Sequence, residues 1–132
     1  MNTKLDTIYA EISAGELVDK ITILQIKKEK ITNNEKLIEI NKELDSLNNT
    51  FNKSIKERNK IKSLISDLKN INLKLWDIEN LKRLSEKNKD FGEKFIELSR
   101  NVYKYNDERA KIKFEINSYT KSKIIEIKEY TI

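Results

Sequence analysis

The residues with the most capacity for chemistry fall in RNVYKYNDERAKIKFEIN, Arg100 to Asn117. At steps of three and four, Arg100, Tyr103, Asn106, Asp107, Ala110, Lys113 and Asn117 share one face of a helix. A solvated face usually carries interchangeable Lys and Glu. This one mixes Arg, Tyr, Asn and Asp beside a small Ala, the make-up of a lined groove. In such a groove Arg and Lys hold an anion, Tyr forms a wall, and carboxylates orient hydroxyls or a metal. The neighbouring stripe, Val102, Tyr105, Arg109, Ile112 and Ile116, has the spacing of a core face. The plainer reading is a helix whose polar groups bond to neighbouring helices.

Composition narrows the chemistry. The 132 residues include no Cys and no His. That excludes disulfides, thiol chemistry and the commonest general base and transition-metal ligand. Acid–base work would fall to carboxylates, Lys or Tyr, with no resident cofactor expected. Any metal would be a hard, oxygen-bound ion such as Mg²⁺. Twenty-seven basic and 22 acidic residues leave a net charge of +5, which reads as spread along the chain and broken by acids. It favours anionic partners weakly and does not by itself make a nucleic-acid footprint, so nucleic acid is an unlikely partner on this reading. No apolar run has signal-peptide or membrane-span length, so a soluble, cytoplasmic protein without membrane contact is expected.

The elements that must position these residues are helices. There is no Pro, only two Gly, and an abundance of Lys, Glu, Leu and Ile. Ser13 with Glu16 forms an S-x-x-E capping box, and Ile12 with Leu17 fits a hydrophobic staple. Leu17, Ile21, Leu24 and Ile31 face inward, and Thr32-Asn33-Asn34 marks a kink or turn. Leu37, Ile40, Leu44, Leu47 and Phe51 continue with heptad spacing to a turn at NNTFN, 48–52. A second heptad runs Ile61, Leu64, Leu68, Ile71, Leu75 and Ile78. Asp90 with Glu93 then offers another capping box. Three arms result, 13–49 with a kink, 54–88 and 90–119, each roughly 45–55 Å at 1.5 Å per residue. The expected fold is all-α: one helical domain over 1–132, an elongated antiparallel three-helix bundle. The alternating segments Ile8–Ile12 and Lys123–Tyr130 are expected as short strands that pair at the termini.

Antiparallel pairing through a turn near 88–91 sets Glu79 level with Arg100, Trp76 with Tyr103 and Asn72 with Asp107. A first turn near 50–51 brings Thr22–Gln25 to the level of Trp76 and Glu79, with Asp19, Lys20 and Lys27 about one turn away. Glu16, Asp19, Lys20, Trp76, Glu79, Arg83, Arg100, Tyr103, Asn106 and Asp107 thus form the candidate ligand-binding set. Glu79 and Arg83 are also spaced as an i,i+4 pair.

ISAGELVDKITIL, LWDIE at 75–79, and FIELSRNVYKYNDERAKIKFEIN at 95–117 together resemble the signatures of a small uncharacterised bacterial and phage family, a domain of unknown function. The resemblance implies a source among marine bacteria or their viruses, with some members near genes for glycan-building enzymes. Near LWxIE the family carries a basic and an acidic residue. Glu79 and Arg83 fit this, while Asn80 stands where an acid is often seen. The terminal E-x-K-x-Y, Glu126, Lys128 and Tyr130, also fits. The resemblance supports a helical fold and supplies no mechanism.

Four functions compete on these residues, the least supported being nucleic-acid binding, which the charge allows but no recognition motif supports. One is a binding protein for a small anionic ligand, a phosphorylated sugar or nucleotide, in a polar groove between helices. The second is a non-catalytic scaffold whose heptads meet a helical partner or a second copy. The third is a Mg²⁺-dependent helical nucleotide hydrolase. Glu16-x-x-Asp19 matches half of the carboxylate motif of such enzymes, and Glu79 and Asp107 would complete it from other helices. A four-residue match of this kind arises often by chance.

Overall fold

The computed structural model describes residues 4–131, which hold four α-helices and no strand. Ser13 starts the first helix, α1 (Ala14–Lys30), by accepting the Glu16 amide N–H at 3.0 Å. The reciprocal half of the capping box is not formed, because the Glu16 carboxylate turns to Lys113 and Lys20. Ile12, the outer half of the expected staple, is 40% exposed.

The expected kink is a complete break. Ile31 and Asn33 are both extended, and Asn33 caps the next helix by accepting the Lys36 N–H at 3.0 Å. An amide cap stabilises a new helix start by about 1 kcal/mol. The chain therefore leaves α1 and packs α2 (Asn34–Ser54) back against it instead of continuing in one kinked arm. This corrects the three-helix bundle to four helices. The second turn also moves. NNTFN stays helical, and the connection runs from Ile55 to Ile61, two buried side chains that pin it to the core.

The helices α3 (Lys62–Lys87) and α4 (Glu93–Thr120) form the expected antiparallel hairpin. Lys74 lies over the Tyr105 ring at 5.2 Å and Lys82 over Phe95 at 5.7 Å, which is the predicted register. The second capping box does not form. Asp90 accepts from Gly92 at 3.3 Å, and Gly92 takes the cap position. Both α3 and α4 end on a left-handed lysine, Lys89 and Lys121, each with φ 55°. At those ends the Asp90 N–H reaches Ser85 O and the Ser122 N–H reaches Asn117 O, each at 2.9 Å. These bonds satisfy carbonyls that the helix leaves open.

Helix α1 is the hub, packing on each of the other three. Leu17, Val18, Ile21 and Leu24 of α1 share one core with Ile40 and Leu44 of α2, Leu68 of α3, Ile116 of α4, and the pinned Ile55 and Ile61. Full burial of each such side chain is worth about 1.5–3 kcal/mol. The terminal strands do not exist. Residues 4–12 and 123–131 have no ladder between them and meet through the Lys123–Glu11 ion pair at 3.3 Å. No described helix is long and apolar enough to cross a membrane.

Candidate functional site

Helix α4 meets α1 through Ile116, which joins the shared core, and through the polar side chains of Arg109, Lys113 and Asn117. At one end Gly15 lets the helices touch. Its N–H donates to Asn117 Oδ1 at 2.7 Å, while the Ala14 N–H donates to Ser122 Oγ at 3.0 Å. The open amides at the start of α1 are thus satisfied by the end of α4.

One turn along α1, Asp19 is 1% exposed and is the centre of a charged network. Arg109 donates from Nε to Asp19 Oδ1 at 2.9 Å and from Nη2 to Oδ2, a two-point fork on one carboxylate. The Asn72 amide donates to Asp19 Oδ1 and to Thr22 Oγ1, both at 2.9 Å, and the Thr22 hydroxyl returns to the Asp19 carbonyl at 2.8 Å. Arg109 Nη1 also reaches Asn106 Oδ1 at 3.4 Å. Hydrogen bonding to Asp19 raises the Arg109 pKa beyond what its burial lowers.

Lys113 is buried among three carboxylates, with Glu16 and Glu126 each at 2.7 Å and Asp19 at 3.8 Å. Burial is the largest single influence on Lys113 and pulls its pKa down. Its bonds to Glu126 and Glu16 and the charge of Asp19 together outweigh burial, so the pKa is raised. Glu126 comes from the extended tail, which Lys128 also fastens to Asp107 at 3.0 Å. Cavities of about 340 and 440 Å³ flank this tail and share Ala110, Lys113, Glu126, Lys128 and Tyr130. Among the described residues no buried polar side-chain atom lacks a partner.

On the other side of Arg109 a cavity of about 370 Å³ opens between α1, α3 and α4. Ile23, Ile26 and Leu75 give it apolar walls, and Asn72, Trp76, Glu79, Asn80, Arg83 and Arg109 supply the rest. Glu79 and Arg83 share this cavity without pairing, and no carboxylate among the described residues bridges to Arg83.

The family model described as "Family of unknown function (DUF6165)" matches residues 8–132. The chain belongs to DUF6165. No curated protein and no solved structure matches it. The match takes in both the helical network and the tail that closes over it.

Within this DUF6165 chain the ten residues of the predicted set divide into three groups. Glu16, Asp19 and Asn106 belong to the network around Arg109 and Lys113, with Lys20 at its rim, 3.8 Å from Glu16. Trp76, Glu79 and Arg83 line the cavity behind Arg109. Arg100, Tyr103 and Asp107 lie on the outer side of α4. All three are exposed, and Asp107 is taken by Lys128. Arg109, assigned from its spacing to the core stripe, is instead the residue that joins the network to the cavity. Its signal was a charge at a core-spaced position, since such a charge is buried only with a partner. Glu126 and Lys128 are the other late arrivals, marked beforehand only by the E-x-K-x-Y pattern. Among the described residues no group of three or more carboxylates is placed to hold a metal ion. Glu16 and Asp19 point at Lys113 and Arg109 instead.

Proposed function

We propose that the protein binds a small anionic ligand with a planar or sugar ring, such as a nucleotide or phosphorylated sugar, in the cavity behind Arg109. One observation carries this reading: Trp76, Glu79 and Arg83 converge on one space with Asn72, Asn80 and Arg109, and Arg83 has no carboxylate partner among the described residues. In this reading the Arg83 guanidinium holds the anion, Trp76 stacks on the ring, and Glu79 accepts from ligand hydroxyls. Ile23, Ile26 and Leu75 supply apolar contact. The volume of about 370 Å³ is at the small end of ligand pockets, which begin near 300 Å³. Asp19 holds Arg109 at the cavity wall, so the arginine needs no reorganisation on binding.

A thermal-shift screen with nucleotides, sugar nucleotides and phosphorylated sugars tests this. A ligand at a hundred times its dissociation constant stabilises the fold by about 2.7 kcal/mol. The shift disappears in Arg83→Gln, shrinks in Trp76→Ala and persists in Arg100→Ala. A shift lost in Arg100→Ala but kept in Arg83→Gln moves the site to the outer face of α4. No shift with any compound favours the scaffold reading.

A further inference from the structure

The cationic excess is concentrated in one place on this fold. In residues 53–62, KSIKERNKIK, Lys53, Lys56, Arg58, Lys60 and Lys62 face a single acid, Glu57, so this stretch holds +4 of the chain's net +5. The first turn of α3, which follows directly, carries no acid to offset it. The stretch is the connection from α2 to α3, and its shape is set from inside. Ile55 and Ile61 are buried at its two ends, and residues 56–60 between them are all exposed.

Arg58 is committed to the loop itself. Its Nε donates to Ile55 O at 3.0 Å, its Nη2 to Asn52 O at 3.1 Å, and its guanidinium lies over the Phe51 ring at 5.3 Å. The arginine therefore folds the loop back on the end of α2. Lys53, Lys56 and Lys62 keep ammonium groups with no carboxylate partner among the described residues, and Lys60 has only the exposed Glu57 at 3.7 Å. Residues 56–60 line an open concavity of about 630 Å³.

We propose that this loop is a docking surface for the phosphate backbone of a nucleic acid, bound without regard to sequence. The partner follows from what the loop offers. A protein interface needs buried apolar or aromatic anchors. Here the two apolar residues of the loop both point into the core, so none is left to serve. A flat anionic bilayer cannot enter a concavity, and no apolar side chain is presented for insertion. A phosphate backbone needs only positive charge and a groove, and lysine ammonium groups on flexible stems supply point charges along it. The surface lies in the α2–α3 connection, whereas the cavity behind Arg109 is lined by α1, α3 beyond Asn72, and α4. The two readings therefore stand or fall separately.

Fluorescence anisotropy with a labelled random-sequence DNA duplex tests the proposal. Four lysine–phosphate contacts give a slope of about −3.6 in log K against log salt, roughly a hundred-fold loss from 50 to 200 mM salt. Lys56→Gln with Lys60→Gln halves that slope to about −1.8 and weakens binding at low salt. The thermal midpoint stays unchanged because both side chains are exposed. Lys87→Gln with Lys94→Gln, at the far end of the α3–α4 hairpin, leaves binding intact. The proposal is overturned by no binding at 50 mM salt, or by an unchanged slope in the Lys56/Lys60 variant. Equal weakening by the control pair, or capture by phosphatidylserine vesicles in place of the duplex, overturns it too.

Discussion

Replacing Asp19 by Asn tests whether the buried carboxylate holds α1, α3 and α4 in their places. The change keeps the size of the side chain and removes its charge. Arg109 and Lys113 then face a neutral amide, one arm of which is itself a donor and cannot accept from the Arg109 fork. Breaking a buried pair by removing one partner costs about 3–5 kcal/mol, chiefly because the remaining charge is left uncompensated. The Arg109 side chain is 29% exposed, so water recovers part of that loss, and Lys113 keeps Glu16 and Glu126. The expected cost is about 3 kcal/mol, the low end of that range. Small domains have about 5–15 kcal/mol in total, so the variant loses a fifth or more of its stability. Urea unfolding followed by circular dichroism and by the single Trp76 reads this as a lower midpoint at unchanged slope. Replacing both partners, Asp19→Leu with Arg109→Met, costs less than Asp19→Asn alone, because no charge is left unpaired. An Asp19→Asn cost below about 1 kcal/mol at unchanged slope would refute the reasoning, since it would place that carboxylate with the weak pairs of the surface.

Two further predictions concern the same contact. In Gly15→Ala the added carbon meets the Lys113 carbonyl oxygen at 2.5 Å and Asn117 Oδ1 at 3.0 Å, so α1 must move away from α4. Overpacking costs about 1–3 kcal/mol, partly offset by up to about 1 kcal/mol of helix preference for Ala. The thermal midpoint therefore falls, whereas Gly92→Ala, with its nearest atom at 3.5 Å, meets no clash and loses only the preference of the α4 cap position for Gly over Ala, about 0.5–1 kcal/mol. Lys113 predicts the alkaline limb of stability. Its pKa is raised in the fold above the ordinary 10.5, so its contribution is complete below that value and is lost as pH rises through the folded pKa. Lys113→Met is less stable than the parent at neutral pH, and the gap narrows above about pH 10.5 in urea titrations. A gap of constant size at every pH removes ionisation from the explanation.

The core was legible because periodicity reports which side of a helix is apolar. Leu17, Ile21, Leu24, Ile40, Leu44, Ile61, Leu68, Ile71 and Ile78 are buried as their spacing requires. The register of α3 on α4 was legible because a short turn and a fixed rise set which residues are level. The direction from which a third helix arrives is written in neither. Trp76 is level with Tyr103, but α1 lies against the side of α4 that carries Arg109. Tyr103 is therefore 57% exposed while Arg109 reaches Asp19. The α4 residues of the predicted set divide accordingly: Asn106 reaches Arg109, whereas Arg100 and Tyr103 lie one helical face further around and are exposed. Thr32–Asn34 was ambiguous for a different reason. The same polar residues that bend a helix also cap a new one, and only the packing of α2 on α1 decides between them.

The tail makes the same point for extended chain. Alternation in KIIEIKEY predicts a backbone with two faces, and that much holds for residues 123–131, which are not helical. Periodicity of two does not say which face turns inward. The expectation was a strand paired with Ile8–Ile12, yet Ile125 and Ile127 are exposed while Glu126 and Lys128 are the residues that bond to α4. The surface beneath decides. It holds the Lys113 ammonium and the Asp107 carboxylate, and an isoleucine laid on Lys113 would cover a cation without giving it a partner. Glu126 supplies that partner at 2.7 Å, and Lys128 answers Asp107 at 3.0 Å. The polar half of the alternation therefore faces in because the helix under it is charged.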